Sequence, residues 1–293
     1  MPKILITGSN SFVGTNYVKF SKYEEIDEVC LFKNRPENID FKRYDVILHL
    51  VAIVHQKITI PDDEYYRINC DLTIQVAKEA KKAGVKQFVF MSTVKVYGKY
   101  RTESGYWNET SECLPEDAYG KSKYAAELAL KKLEDDNFKV SIIRTPLVYG
   151  KGVKANMLGL IKLVKSSRVL PFKNIKNRRN FTAAENLVAF IDRIIERKAS
   201  GVFIAMDKNA ISTTELVIII SEILCKRLYL FKIPEFYVKI GFVIFPKLFD
   251  RLYGSYEMDN SKTLEILEFE PPLSTKEGVK NMINSFKNTN NTI

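Results

Sequence analysis

The chain has 293 residues, 46% of them hydrophobic, enough to bury a sizeable core as one domain with a lobe or as two modest domains. Its net charge of +10 is uneven: residues 1–150 carry 22 Lys+Arg against 21 Asp+Glu, residues 151–293 carry 23 against 14. Two histidines and four widely spaced cysteines argue against a His-rich metal site, a serine-hydrolase triad, a zinc site or a redox pair. No metal is expected. The chain starts directly on a strand pattern with no basic-then-apolar leader, so reduced cysteines and a cytoplasmic location are the expectation.

In chain order, Lys3-Ile4-Leu5-Ile6 reads as a short buried strand. Thr7-Gly8-Ser9-Asn10-Ser11-Phe12-Val13-Gly14 follows and opens a helical pattern. Strand, glycine turn and helix form the phosphate cradle of a dinucleotide site, with the helix amino terminus against the pyrophosphate. Gly8 makes the tight turn and Gly14 lets the helix approach the sheet. Ser11 replaces the middle glycine but keeps its backbone N–H. The candidate cofactor contacts here are Gly8, Asn10, Ser11, Phe12, Val13 and Gly14.

The second strand reads as Val29–Phe32, with no acid at its tip and with Lys33 and Arg35 just beyond. An NAD site wants a carboxylate there for the ribose hydroxyls, whereas two cations suit the 2′-phosphate of NADP. The competing reading is a loop with ordinary surface charge. Further strands are expected at Val46–Leu50, at Phe88–Met91, closed by Ser92-Thr93, and at Val140–Arg144. Helical stretches alternate with them, which argues an α/β fold: a Rossmann-type doubly wound parallel sheet over residues 1–150. Residues 151–293 form mainly a smaller carboxyl-terminal substrate-binding lobe, with some segments returning to the first domain.

Tyr119-Gly120-Lys121-Ser122-Lys123 opens a helical run and sets a tyrosine and a lysine four apart on one face. A nearby ammonium favours phenolate, so the tyrosine pKa is expected to fall from its usual ~10. Thr93, at the carboxyl end of a strand, is placed to steady an oxygen while Tyr119 moves the proton. Taken alone, Tyr-x-x-x-Lys is common by chance. Three such elements in this order make chance a poor account.

These residues resemble the extended short-chain dehydrogenase/reductase family, the nucleotide-sugar epimerases, dehydratases and reductases. The marks are Thr7-Gly8 to Gly14, His49-Leu50-Val51-Ala52, Asn69, Ser92-Thr93 with Val96-Tyr97-Gly98, Tyr119 to Lys123, and Arg144-Thr145-Pro146-Leu147-Val148-Tyr149-Gly150. The second half matches more loosely, through Asn156, Arg178-Arg179-Asn180-Phe181, and Asp259-Asn260-Ser261-Lys262 with Pro271-Pro272. The resemblance implies Thr93, Tyr119 and Lys123 as the catalytic set. It also implies Leu50, Ala52, Asn69, Lys123, Pro146 and Val148 around the cofactor, and Thr93, Asn156, Arg179 and Arg251 on a UDP-sugar. A homodimer is implied as well. Thr182-Ala183-Ala184 departs from the bulkier run expected after Arg179.

Dehydratases of this kind carry Asp-Glu after the threonine; here Val94-Lys95 stand there, which disfavours dehydration. The brief stretch Asn34–Tyr44 is similar to reductases acting at C4 of UDP-4-keto-6-deoxy-N-acetylhexosamines in surface-polysaccharide synthesis. With Lys33 and Arg35 it favours NADP(H) and net reduction; the alternatives are a UDP-sugar 4-epimerase with resident NAD(H) and, behind it, a non-catalytic dinucleotide sensor. His55, Gln56 and Lys95 are equally readable as site residues or as ordinary loop residues. The apolar run Tyr237–Phe249, with spaced lysines, is too short and interrupted to span a bilayer. Core or dimer packing is its favoured reading and weak peripheral membrane contact the other; nucleic acid is not expected as a partner.

Overall fold

The computed structural model describes residues 1–54, 60–99, 105–153 and 156–287. In chain order the elements are β1 (Ile4–Thr7), α1 (Phe12–Phe20), β2 (Ile26–Val29), β3 (Val46–His49), α2 (Asp62–Tyr66), α3 (Leu72–Lys82), β4 (Gln87–Thr93), α4 (Ala118–Lys131), β5 (Lys139–Thr145) and β6 (Leu147–Tyr149). There follow α5 (Asn156–Ser166), β7 (Val169–Leu170), β8 (Phe181–Ala183), α6 (Ala184–Glu196), β9 (Gly201–Ile204), α7 (Thr213–Ile223), β10 (Tyr229–Leu230), α8 (Glu235–Ile244), α9 (Pro246–Tyr253), α10 (Ser261–Leu267) and α11 (Thr275–Lys287).

The chain divides into two compact units. One comprises Met1–Pro146, Glu185–Met206 and Asp259–Pro271; the other comprises Leu147–Ala184, Asp207–Met258 and Pro272–Ile293. The first is built on a six-stranded sheet in the order β2-β1-β3-β4-β5-β9, parallel throughout. A parallel sheet is covered on both faces, and its strands read as near-continuous apolar runs for that reason. Leu5, Ile47, Phe88, Phe90 and Ile142 from the strands, and Ala126 from α4, share one buried cluster. The strand order reverses between β1 and β3, the switch point at which such sheets bind ligands.

Two sequence expectations change here. The second strand is Ile26–Val29, not Val29–Phe32. The chain leaves the sheet after Val29 and turns, with the N–H groups of Lys33 and Asn34 both returning to Cys30 O at 3.1 Å. Leu31 is buried by that turn rather than by strand pairing. Between β2 and β3 there are only two single 3₁₀ turns, Pro36–Asn38 and Phe41–Arg43. The second correction concerns Tyr237–Phe249, which is not core: it forms most of α8 and α9, and much of its apolar surface is exposed.

The second unit has two small parallel pairs, β6 with β8 and β7 with β10. Tyr149, the last residue of β6, is fully buried, and its hydroxyl donates to Asp207 Oδ2 at 2.7 Å. Asp207 Oδ1 accepts from Ala183 N at 2.8 Å. One carboxylate thus ties β6 to β8.

Candidate active site

The glycine turn is fixed by its surroundings. Gly8 has φ +108°, a conformation side chains rarely adopt, and a Cβ there would meet Val51 N at 3.1 Å and Leu50 C at 3.2 Å. The backbone of Leu50 and Val51, before Ala52, therefore runs directly beside the turn. Asn10 is also left-handed, at φ 59°. Ser11 caps α1, its Oγ accepting from Gly14 N at 3.1 Å. The N–H groups of Phe12 and Val13 find no acceptor among the described residues, and the helix dipole at this end favours an anion. A cradle with no room for a side chain, beside free N–H groups, fits the pyrophosphate of a dinucleotide.

Lys33 and Arg35 are exposed beyond the end of β2. A carboxylate from β2, by contrast, comes close to the glycine motif. Glu28 Oε1 lies 3.3 Å from where a Gly14 Cβ would stand, and Glu28 has no hydrogen bond or ion pair among the described residues. Sequence reasoning missed it by placing the strand tip at Phe32.

Beneath the turn, His49 is fully buried between Thr7 and Thr73. Thr73 Oγ1 donates to Asn69 O at 2.9 Å, so it accepts from His49 Nε2 at 3.0 Å. Nδ1 then accepts from Thr7 Oγ1 at 2.7 Å. This fixes a neutral imidazole, consistent with burial pulling its pKa down to about 3. Asn69 lies in a π-helical turn, Arg67–Asp71, ahead of α3. Its side chain holds Ile53 N at 2.8 Å and Ile53 O at 3.0 Å, and donates to Ser122 Oγ at 3.0 Å. Ser122 Oγ in turn donates to Tyr119 O at 2.9 Å. Asn69, expected beside the cofactor, thus joins the segment after β3 to the helix carrying Tyr119.

Thr93 and Tyr119 come together as expected. Thr93 ends β4 and caps a 3₁₀ turn, Val94–Tyr97, accepting from Lys95 N at 3.3 Å. Its hydroxyl hydrogen-bonds the Tyr119 phenol. Lys95 forms one half of a clamp. Its ammonium bonds Asp117 Oδ2 at 2.7 Å, while Asp117 Oδ1 caps α4 through Gly120 N at 2.7 Å. The clamp joins the turn after β4 to the start of α4 and so sets the Thr93–Tyr119 approach. Asp117 was missed, although an aspartate immediately before a helical run is a capping signal.

The expected pKa shift is reversed. Burial pushes Tyr119 up to about 12, and the Thr93 hydrogen bond only partly offsets it. Lys123 is 1% exposed, with Nζ 4.1 Å from the centroid of the Phe90 ring. Burial pulls Lys123 down to about 7 against the opposing pull of Glu127. A lysine that titrates near neutrality is a weak electrostatic partner for the phenol, so desolvation dominates both groups.

Below Lys123 is a buried ion pair that the sequence did not disclose as such. Arg144 Nη2 meets Glu127 Oε2 at 2.5 Å and Nε meets Oε1 at 3.1 Å, with side chains 3% and 0% exposed. Ser92 Oγ donates to the same carboxylate. The pair joins α4 to β5 one turn beyond Lys123.

Pro146 directly follows β5. Within the second unit, Val148 pairs with Thr182 across β6 and β8. Asn156 is the first residue of α5. Arg179 Nη1 donates to the carbonyls of Asp250 (2.8 Å), Arg251 (3.2 Å) and Gly254 (3.3 Å), closing the carboxyl end of α9. Arg251 is exposed on α9. His55 and Gln56 lie outside the described residues.

A parallel sheet with a glycine cradle at its switch point, and a Thr93–Tyr119 contact one helical turn from the buried Lys123, is the arrangement expected of a dinucleotide-dependent enzyme. A family model described as "NAD dependent epimerase/dehydratase family" matches residues 4–204, and the chain belongs to that family. It is 35% identical to a UDP-glucose 4-epimerase of Vibrio cholerae, over 99% of this chain and 98% of that protein. Its fold matches a UDP-glucuronic acid 4-epimerase from Bacillus cereus in complex with NAD (TM-score 0.75, 18% identity, 98% of this chain and 99% of the other). It also matches a dTDP-4-dehydrorhamnose reductase from Bacillus anthracis in complex with NADP (TM-score 0.73, 21% identity, 97% and 99%). The protein is therefore an enzyme of the nucleotide-sugar epimerase, reductase and dehydratase group, and its cofactor is a nicotinamide dinucleotide.

Proposed function

We propose that the protein is a UDP-sugar 4-epimerase that retains NAD. The observation that carries this reading is Glu28: the carboxylate beside the glycine turn suits the free ribose hydroxyls of NAD. The 35% identity to a 4-epimerase along nearly the whole chain supports the same reaction. Val94 and Lys95, where an acid pair would serve dehydration, argue against loss of water.

A bound nicotinamide dinucleotide would supply reversible hydride transfer at the sugar carbon. The residues supply the proton chemistry. Tyr119 exchanges the proton of the sugar C4 hydroxyl, and Thr93, hydrogen-bonded to the phenol, holds that oxygen in line. Lys123 lies one turn along α4 and would hold the nicotinamide ribose. Pro146 and Val148 would take the nicotinamide, and Asn156, Arg179 and Arg251 would take the UDP diphosphate.

The second reading is the C4 reductase using NADPH. It is favoured by Lys33 and Arg35 at the open end of β2, by the two short turns that replace a full βα unit after it, and by a resting Tyr119 held protonated. One experiment separates the readings: identify the nucleotide extracted from purified protein, then assay UDP-glucose and UDP-N-acetylglucosamine without added cofactor. Near-stoichiometric NAD and interconversion at C4 are expected. An empty protein that oxidises NADPH only with a UDP-4-keto sugar overturns the epimerase in favour of the reductase.

A further inference from the structure

The second unit carries an exposed apolar surface that includes none of the residues assigned to the cofactor or the UDP-sugar. Helices α8 and α9 form a hairpin, closed because Gly241 leaves room for the ring of Phe249: a Cβ at 241 would meet it at 2.1 Å. Phe249 also stacks on Tyr253 at 5.5 Å and contacts Phe242 at 5.8 Å, so the inner seam of the hairpin is filled. The rest of its apolar surface faces out. At the tip, Val243, Ile244 and Phe245 are 81%, 60% and 59% exposed, and Phe236 and Tyr237 extend the patch along α8. Contiguous exposed apolar residues of this kind mark a contact surface. No helix among the described residues is long and apolar enough to cross a membrane, and α8 at ten residues reaches only ~15 Å.

The charges beside the patch identify the partner. A groove of about 620 Å³ runs along the hairpin, with Lys173, Lys176, Lys232 and Lys239 in its lining against one carboxylate, Glu235. Lys247 follows the tip itself. A second copy of this chain would cover the apolar tip but would bring two lysine collars together. An anionic bilayer covers the tip and neutralises the collar at once.

We propose that the α8–α9 hairpin is a membrane-docking device: its tip enters the acyl boundary of an anionic phospholipid bilayer while the lysine groove meets the phosphate headgroups. This stands apart from the choice between epimerase and reductase. The hairpin would hold a nucleotide-sugar enzyme at the surface of a membrane.

The test is co-sedimentation of the full chain with phosphatidylglycerol-containing vesicles and with phosphatidylcholine vesicles, at low and high salt. Three proteins are compared: the natural chain, Val243→Asp with Phe245→Asp, and Lys173→Gln with Lys232→Gln. The natural chain should bind the anionic vesicles alone and be released by salt. The tip substitutions, at exposed positions, should abolish binding with unchanged circular dichroism. Each lost lysine should weaken binding about fivefold. No sedimentation at low salt overturns the proposal. So does equal binding of the tip variant, which would mean adsorption through the basic surface alone. A dimer seen by light scattering that the tip variant dissolves, with no vesicle binding, overturns it in favour of self-association.

Discussion

The environment of Tyr119 and the α8–α9 hairpin are opposite solutions to the same problem of placing side chains. Around Tyr119 the structure over-determines position: Asn69 ties Ile53 to Ser122, Lys95 and Asp117 tie a turn to a helix start, and Glu127 and Arg144 tie that helix to β5. In the hairpin, Phe249 and Gly241 fix the fold of the two helices, and the tip side chains are mostly exposed. The first region holds its side chains through internal bonds, as the proposed chemistry requires. The second leaves apolar surface uncovered, as the proposed docking requires.

That contrast can be broken from either side. Tyr119→Phe should have the largest effect, a loss of ~10²–10⁴ in kcat, with dinucleotide binding and melting temperature unchanged. Steady-state rates and a binding titration check it, and a variant with full activity would remove Tyr119 from the reaction. Glu127→Ala should follow, costing ~3–5 kcal/mol in urea unfolding, since it leaves the Arg144 charge buried without its partner. Asn69→Ala should cost ~1–3 kcal/mol and lower kcat, because Ile53 and α4 lose their common tie. An Asn69→Ala protein with unchanged kcat would show that the tie does not position Tyr119.

A pH test sharpens the same point. The Lys123 pKa is about 7 folded against ~10.4 unfolded, so between these values the unfolded chain holds more protons and stability rises with pH. Lys123→Met removes the buried ammonium. It should therefore melt above the natural protein by most below pH 7, with the gap shrinking as pH climbs toward 10. Smallest of all, Val243→Asp with Phe245→Asp should change unfolding free energy by no more than ~0.5 kcal/mol. A large loss there would mean that the tip belongs to the core after all.

Much of the first unit was legible because parallel strands are short apolar runs and glycine cradles are local in sequence. Tyr119 and Lys123 stood out because helical spacing puts them on one face and because the glycine turn and Thr93 accompany them. The end of β2 was not: Cys30-Leu31-Phe32 is apolar and reads as strand, yet the chain pairs through Ile26–Val29 and buries Leu31 in a turn. That shift hid Glu28. The Tyr119 pKa was misjudged because spacing gives proximity and not burial, and burial decides the sign. The core reading of the hairpin failed because apolar composition says that a segment seeks cover, not that the rest of the same chain supplies it. Lys95 and Asp117 are ordinary charges in sequence and become a clamp only when β4 and α4 meet.

The position of β2 has a consequence for the life of the protein in a crowded solution. As the terminal strand of the sheet it presents one rim of backbone donors and acceptors unpaired among the described residues, the template on which foreign strands add. Its four residues are too few to recruit a long partner, and the adjacent carboxylates Asp27 and Glu28 penalise one that tries. Asp27 is held in place by the Tyr44 hydroxyl at 2.9 Å and Lys3 at 3.5 Å. The same short acidic strand that borders the glycine turn is thereby a poor template for a foreign strand.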